Sequence, residues 1–207
     1  MRRRSIVTLA ALVVAIAGAV AVGAAGGASG ATTAKDRRYV SARYGITVEA
    51  PTGWTMSTHT GFPNVLVLLL HPDGSRISVA VSDTTAASAR ELADSNRRGL
   101  DVQGLKVVNV RAGARDGVEI EALSAARAET VVQIYLVRAV TSAGPRQAVI
   151  VSLITATAAL ATQRPALDQV IAKLGLNPVP EPASTAPHAP PGKPPSAAQR
   201  PAEEQRR

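Results

Sequence analysis

The chain has no cysteine. That excludes disulfides, thiolate metal sites, a cysteine nucleophile and a lipid anchor attached at a leader-terminal cysteine. Stability outside a reducing compartment must then come from packing alone. Aromatic residues are scarce, with one Trp, one Phe and three Tyr in 207 residues. A single-strand nucleic-acid binder stacks bases on aromatic side chains along a basic stripe, and neither component is present. The net charge of +8 is less than it looks, because Arg2, Arg3 and Arg4 supply three of the positives. Between residues 32 and 177 the only adjacent basic pairs are Arg37-Arg38 and Arg97-Arg98. The positives therefore read as a solvated basic surface, and no nucleic-acid partner is expected. Hydrolase signatures are missing as well: there is no Gly-x-Ser-x-Gly, no Ser-x-x-Lys and no His-Glu-x-x-His. No phosphate-cradling glycine loop occurs outside the leader.

The two ends carry the clearest pattern. Arg2-Arg3-Arg4 precede an uncharged, mostly apolar run from Ser5 to about Ala31. A basic start, an apolar stretch and small residues before a cut form a secretory leader. Ser29-Gly30-Ala31 offers the small side chains a signal peptidase accepts, and Val22-Gly23-Ala24 is a second option. The run is also long enough to be an uncleaved anchor, since a span needs about 20 residues. After Val22 it becomes Gly/Ala-rich, which favours cleavage, and a mature start near Thr32 is expected. At the other end, residues 178–207 hold most of the chain's fourteen prolines and few bulky apolar side chains. Such a segment cannot bury enough surface to fold and leans to extended polyproline conformation. Ser184-Thr185 beside Pro182 and Pro187 could accept O-linked sugar.

Residues 32–177 read as one domain of ordinary size. Tyr44–Ala50 alternates as a strand and is broken by Pro51-Thr52-Gly53. Asn64–Leu70 is a continuous apolar run, expected of a strand covered on both faces. His71-Pro72-Asp73-Gly74 is a hairpin turn, with Asp-Gly supplying the positive φ it needs. Arg76–Ser82 alternates, with Ile77, Val79 and Val81 on one face. A helix then runs from a capping box at Ser88 and Glu91 to about Arg98, with Gly99 as its stop. Further strands are expected at Lys106–Ala112, Val118–Ala126, Thr130–Thr141 and Gln147–Thr155. The last is apolar on both faces and should be central. Residues 158–174 read as a helix, with Pro165 opening its final segment and Gly175 past its end. Strands joined by hairpins, with two helices and no alternating βα rhythm, indicate an α+β fold with an antiparallel sheet covered by the helices.

Tyr44-Gly45-Ile46-Thr47-Val48 followed by Ala50-Pro51-Thr52-Gly53-Trp54 resembles the opening of PsbP-like domains. The resemblance spans most of residues 39–177, and the Pro51–Trp54 piece is its specific part. It implies an α/β/α sandwich around an antiparallel sheet and a non-catalytic accessory or binding role. The leader and the Ala/Pro tail further resemble secreted alanine- and proline-rich adhesins of actinobacteria.

Each residue with chemical capacity has a plain reading beside the functional one. Trp54, the only tryptophan, is a core anchor behind the Pro51–Gly53 turn rather than a ligand platform. His59 and His71 flank a strand and are too far apart to share a metal, so both read as solvated loop histidines. A triad drawn from Ser57, His59 or His71 and Asp83 is a chance combination. Glu119 and Glu121 share one side of a strand and could do acid/base work on sugars, but alternation makes them solvent-facing. Asp73-Gly74 is a turn rather than a calcium loop. No catalytic, cofactor-binding or metal residue is assigned. The expectation is an exported, extracytoplasmic protein of the cell envelope without catalytic activity, monomeric, whose partner is a protein or an envelope polymer. Membrane contact is expected only if the leader is retained, in which case the chain is a tethered structural or interaction protein. A hydrolase with an unrecognised site is the remote alternative.

Overall fold

The structure is a computed structural model that describes residues 37–140 and 145–178. The leader 1–31, the turn at 141–144 and the tail from residue 179 lie outside the described residues. In chain order the elements are β1 (Arg38–Ser41), β2 (Ile46–Glu49), β3 (Thr55–Ser57), β4 (Val65–Leu70), β5 (Arg76–Thr84), α1 (Ala89–Val102), β6 (Lys106–Ala112), β7 (Val118–Ser124), β8 (Glu129–Ala139), β9 (Arg146–Ala156), α2 (Leu160–Lys173) and β10 (Gly175–Leu176). A single 3-10 turn, Thr157–Ala159, leads into α2.

Two antiparallel sheets form. The larger has the order β3-β4-β5-β9-β8-β7-β6, and the smaller has the order β1-β2-β10. The doubly apolar strand β9 is the middle strand of the seven, as its sequence implies. Its odd-numbered residues Val149, Val151 and Leu153 join Ile77, Val79 and Val81 of β5 and Val132, Ile134 and Leu136 of β8 on one face. Leu167, Val170 and Ile171 of α2, with Ile46 and Val48 of β2, close over that face. Its even-numbered residues Ala148, Ile150 and Ile154 lie on the opposite face beneath Leu92, Ala93 and Leu100 of α1. Helix, sheet and helix thus stack as an α+β sandwich. The second sheet was not foreseen: β10 is only two residues long, and it pairs with β2 from nearly 130 positions away.

Local chemistry explains the element ends. The Ser88 hydroxyl accepts from the Glu91 N–H at 3.2 Å, and Glu91 Oε2 accepts from the Ala87 N–H at 2.7 Å, closing the first turn of α1. Gly99 does not stop this helix. α1 continues to Val102 because Leu100 is buried, and the stop is Gly104 at φ +73. There the Leu105 N–H reaches the Leu100 carbonyl and the Gly104 N–H reaches the Asp101 carbonyl, both at 3.0 Å. These are the paired bonds of a Schellman cap, with Leu100 and Leu105 in apolar contact. Pro165 lies inside α2 rather than at a helix start, and α2 runs unbroken through it.

Candidate functional site

A groove opens where the smaller sheet meets the β3–β4 connection. It has a volume of about 520 Å³ and is lined by Tyr39, Thr58, His59, Phe62, Pro63 and Leu66, among others. Tyr39 comes from β1. The rest comes from the β3–β4 loop, which the Thr60 hydroxyl holds in shape, and from the first residues of β4. The hydroxyl oxygen accepts from the Phe62 N–H at 3.3 Å, and its proton lies between the carbonyls of Val65 at 2.9 Å and Phe62 at 3.2 Å. Gly61, at φ +71, permits the turn, a conformation that costs other residues a steric clash. Leu66 is set out of register between Val65 and Val67 by a bulge in β4, which aims its side chain toward the groove. Phe62 packs on the small cluster of Val65, Leu68 and Ala80. His59 is exposed on the rim. The walls are thus mainly apolar and aromatic, with hydroxyl and imidazole groups at the edge.

The other histidine is not a free loop residue, which corrects its reading as solvated. The His71 ring lies 5.2 Å from the Trp54 ring, tilted by 40°. Its Nδ1 is 2.8 Å from Asp73 Oδ1 and 3.3 Å from Gln163 Nε2 of α2. Asp73 Oδ1 also accepts from the Ser75 N–H at 2.8 Å, and Oδ2 accepts from Gln163 Nε2 at 2.6 Å. Partial burial works to raise the Asp73 pKa, but the hydrogen bonds from Ser75, His71 and Gln163 outweigh it and bring it down to about 2. The turn between β4 and β5 is thereby fastened to α2. Trp54 is buried in the main core, as its sequence position implies.

Glu119 is the second correction. It shares a side of β7 with Glu121, as alternation requires, but its side chain is only 4% exposed. The face it occupies is covered by α2, not by water. Arg164 of α2 grips it with two bonds, Nη1 to Oε1 at 2.7 Å and Nη2 to Oε2 at 2.6 Å. Arg111, directly opposite on β6, adds Nη2 to Oε1 at 2.7 Å. Burial favours the neutral acid, yet the two guanidiniums hold the Glu119 pKa below the usual carboxylate range. Arg164 in turn reaches Asp168 at 2.9 Å. A carboxylate held this way stays ionised and has its lone pairs occupied, so it cannot deliver a proton. No sequence spacing links Glu119 with Arg164; only the i, i+4 pairing of Arg164 with Asp168 is visible in the chain.

Among the described residues, no hydrogen bond joins Ser57, His59, His71 and Asp83 into a triad. His59 and His71 sit at opposite ends of the β4 segment, and among the described residues no group of three or more His, Asp or Glu is placed to hold a metal. Asp73-Gly74 forms the expected turn, with Gly74 at φ +89. Sequence reasoning missed Arg138. It donates to the carbonyls of Tyr44 and of Asn177, the latter at 2.9 Å, and to Gln147 Oε1 at 2.8 Å. The Asn177 N–H donates to the Gly45 carbonyl at 2.7 Å. A side chain at Gly45 would collide with the Asn177 carbonyl. These contacts fix the end of the described chain against the β1–β2 turn.

The described residues define an α+β sandwich with an open groove at the junction of its two sheets. No protein-family model matches the chain, and no curated protein matches it. Among solved structures it is similar to cyanobacterial PsbP (CyanoP) from Synechocystis sp. PCC 6803, with 19% identity over 74% of this chain and 99% of that one, at a TM-score of 0.49. It is also similar to LpqN of Mycobacterium tuberculosis, a protein involved in cell envelope biogenesis, with 14% identity over 64% of this chain and 83% of that one, at a TM-score of 0.49. A Bacteroides thetaiotaomicron structure matches at 12% identity over 68% of this chain and 48% of that one, with a TM-score of 0.43. At these identities and TM-scores the matches assign this chain no family and no role, and nothing in them bears on the adhesin resemblance.

Proposed function

We propose that this chain is an exported, non-catalytic protein of the cell envelope that binds a partner through the groove between Tyr39 and the Thr58–Leu66 segment. The observation that carries this reading is the groove itself, with its aromatic and aliphatic walls and its polar rim. Binding sites for extended chains and small molecules are concave and mostly apolar, with a few polar groups for orientation. The carboxylates with lowered pKa values also support binding over catalysis, because Asp73 and Glu119 are both engaged in holding α2 to the sheet. The basic-then-apolar leader supports export. No helix among the described residues is long and apolar enough to cross a membrane.

The test is a photo-crosslinking amino acid placed at Phe62 in the exported chain, in its own cells, with a control at Val102, which is 89% exposed on α1. Adducts from position 62 that are missing from position 102 are expected. The same products from both positions, or none from position 62, would refute binding in the groove. N-terminal sequencing of the same material separates export from tethering: a start near Thr32 is expected, and chains beginning only at Met1 or Arg2 would assign a retained anchor.

A further inference from the structure

We infer that the groove takes a polyproline segment, and that its resident occupant is the chain's own Pro187–Pro195 stretch, bound in cis. This deepens the groove-binding reading and rests on it.

The chemistry of the groove fits that ligand. Tyr39 and Phe62, two of only five Phe, Trp and Tyr residues in the chain, line it together. Polyproline helices dock in aromatic-lined grooves because their shape is preformed and little conformational freedom is lost on binding. They make no internal hydrogen bonds, so their carbonyls remain free for donors. The exposed Thr58 hydroxyl and His59 imidazole on the rim supply donors of that kind. The stretch Pro187-His188-Ala189-Pro190-Pro191-Gly192-Lys193-Pro194-Pro195 carries no acidic residue and no bulky branched side chain, so nothing in it opposes entry.

The exit point of the chain fits as well. β10 pairs with β2, and β2 pairs with β1. Asn177 is held at the β1–β2 turn by Gly45 and Arg138. Asn177 thus sits at the turn end of the three-stranded sheet, on the side of β2 opposite β1, which carries Tyr39. Tyr39 is two residues from the turn end of β1, about 7 Å at strand rise. Residues 178–187 can span about 28 Å at the polyproline rise of 3.1 Å, against about 10 Å for the two strand spacings that separate β10 from β1. A tether this short holds its ligand at an effective concentration in the millimolar range, so a weak interaction suffices to keep the groove occupied. An outside partner would then bind by displacing the tail.

The absence of cysteine makes a clean test available. A nitroxide label on Ser196→Cys in the isotope-labelled exported chain reports which amides the tail approaches. Broadening is expected at Gly61, Phe62 and Leu66, while Lys106–Ala112 of β6, at the far edge of the seven-stranded sheet, keep their intensity. Phe62→Ala should remove the effect. Because Phe62 also packs on Val65 and Leu68, a second variant leaves the fold untouched: Ala at Pro190, Pro191, Pro194 and Pro195 should remove it too. Equal broadening at the groove and at β6, or groove broadening that survives the four proline replacements, overturns the inference. Broadening carried by spin-labelled chains onto separate isotope-labelled ones would give the groove to the tail of a second copy and also overturn binding in cis. Partner adducts from position 62 in cells, together with a negative nitroxide result, would reject the tail and leave the groove-binding reading standing.

Discussion

Replacing Glu119 with Ala tests the account of how α2 is held. The carboxylate accepts four hydrogen bonds from two arginines and is almost fully buried. Removing one partner of a buried ion pair costs about 3–5 kcal/mol, mainly because a charge is stranded. Here the stranding is incomplete. Arg164 keeps Asp168 as a partner and is 24% exposed, and Arg111 is 51% exposed. The expected loss is about 2–3 kcal/mol for Glu119→Ala, less for Glu119→Gln, and under about 1 kcal/mol for Arg111→Ala, whose guanidinium is half in water. Urea unfolding followed by Trp54 emission measures all three, with an unchanged m-value as the sign that only stability has moved. The pH dependence supplies a second check. The folded-state pKa of Glu119 lies below its unfolded value, so its stabilisation is complete above the unfolded value of about 4.3 and is lost as pH falls through the folded one. The gap between wild type and Glu119→Ala should stay constant from about pH 7 to 5 and close below about pH 4. A gap under about 0.5 kcal/mol at neutral pH, the range of ordinary surface substitutions, or one that widens on acidification, would refute the reasoning.

Trp54→Ala should cost about 3–5 kcal/mol, the range for deleting a large core aromatic; urea unfolding by far-ultraviolet dichroism measures it, and a loss below about 1 kcal/mol would mean the ring is not a core anchor. Asp73→Asn should cost about 1 kcal/mol at pH 7, since a pKa lowered to about 2 is worth rather more than that before screening of a side chain 35% exposed. That difference should be present above about pH 4 and vanish between about pH 4 and 2 in an acid titration of stability. Truncation after Pro178 should lower Tm by less than about 5 °C, very roughly 1–2 kcal/mol for a domain of this size, because a tail that fills the groove about nine-tenths of the time adds only about 1.4 kcal/mol; a larger drop by calorimetry would show that the tail is part of the fold.

Much of the fold is written locally. The alternation in Arg76–Ser82 gives β5, the Ser88–Glu91 spacing gives the start of α1, and Asp73-Gly74 gives the β4–β5 turn, because each is decided by residues within one or two turns of chain. The two-faced apolar run of β9 even gives its central place, since only a strand covered on both sides can bury such a pattern. The α+β class follows from those pieces. What the chain could not reveal depends on partners far away in sequence. Alternation puts Glu119 and Glu121 on one side of β7, but whether that side meets water is decided by α2, forty-five positions later, where Arg164 meets the carboxylate. Gly99 looks fit to end a helix; burial of Leu100 against the sheet carries α1 past it to Gly104. His71 reads as a loop residue until Trp54 and Gln163 close on it. The groove is decided most fully by tertiary structure, because Tyr39 and Phe62 come together only when β1, paired within a separate three-stranded sheet, is laid beside the β3–β4 loop of the seven-stranded one. Local propensity fixes elements; the long-range contacts that bury them fix which surfaces remain open.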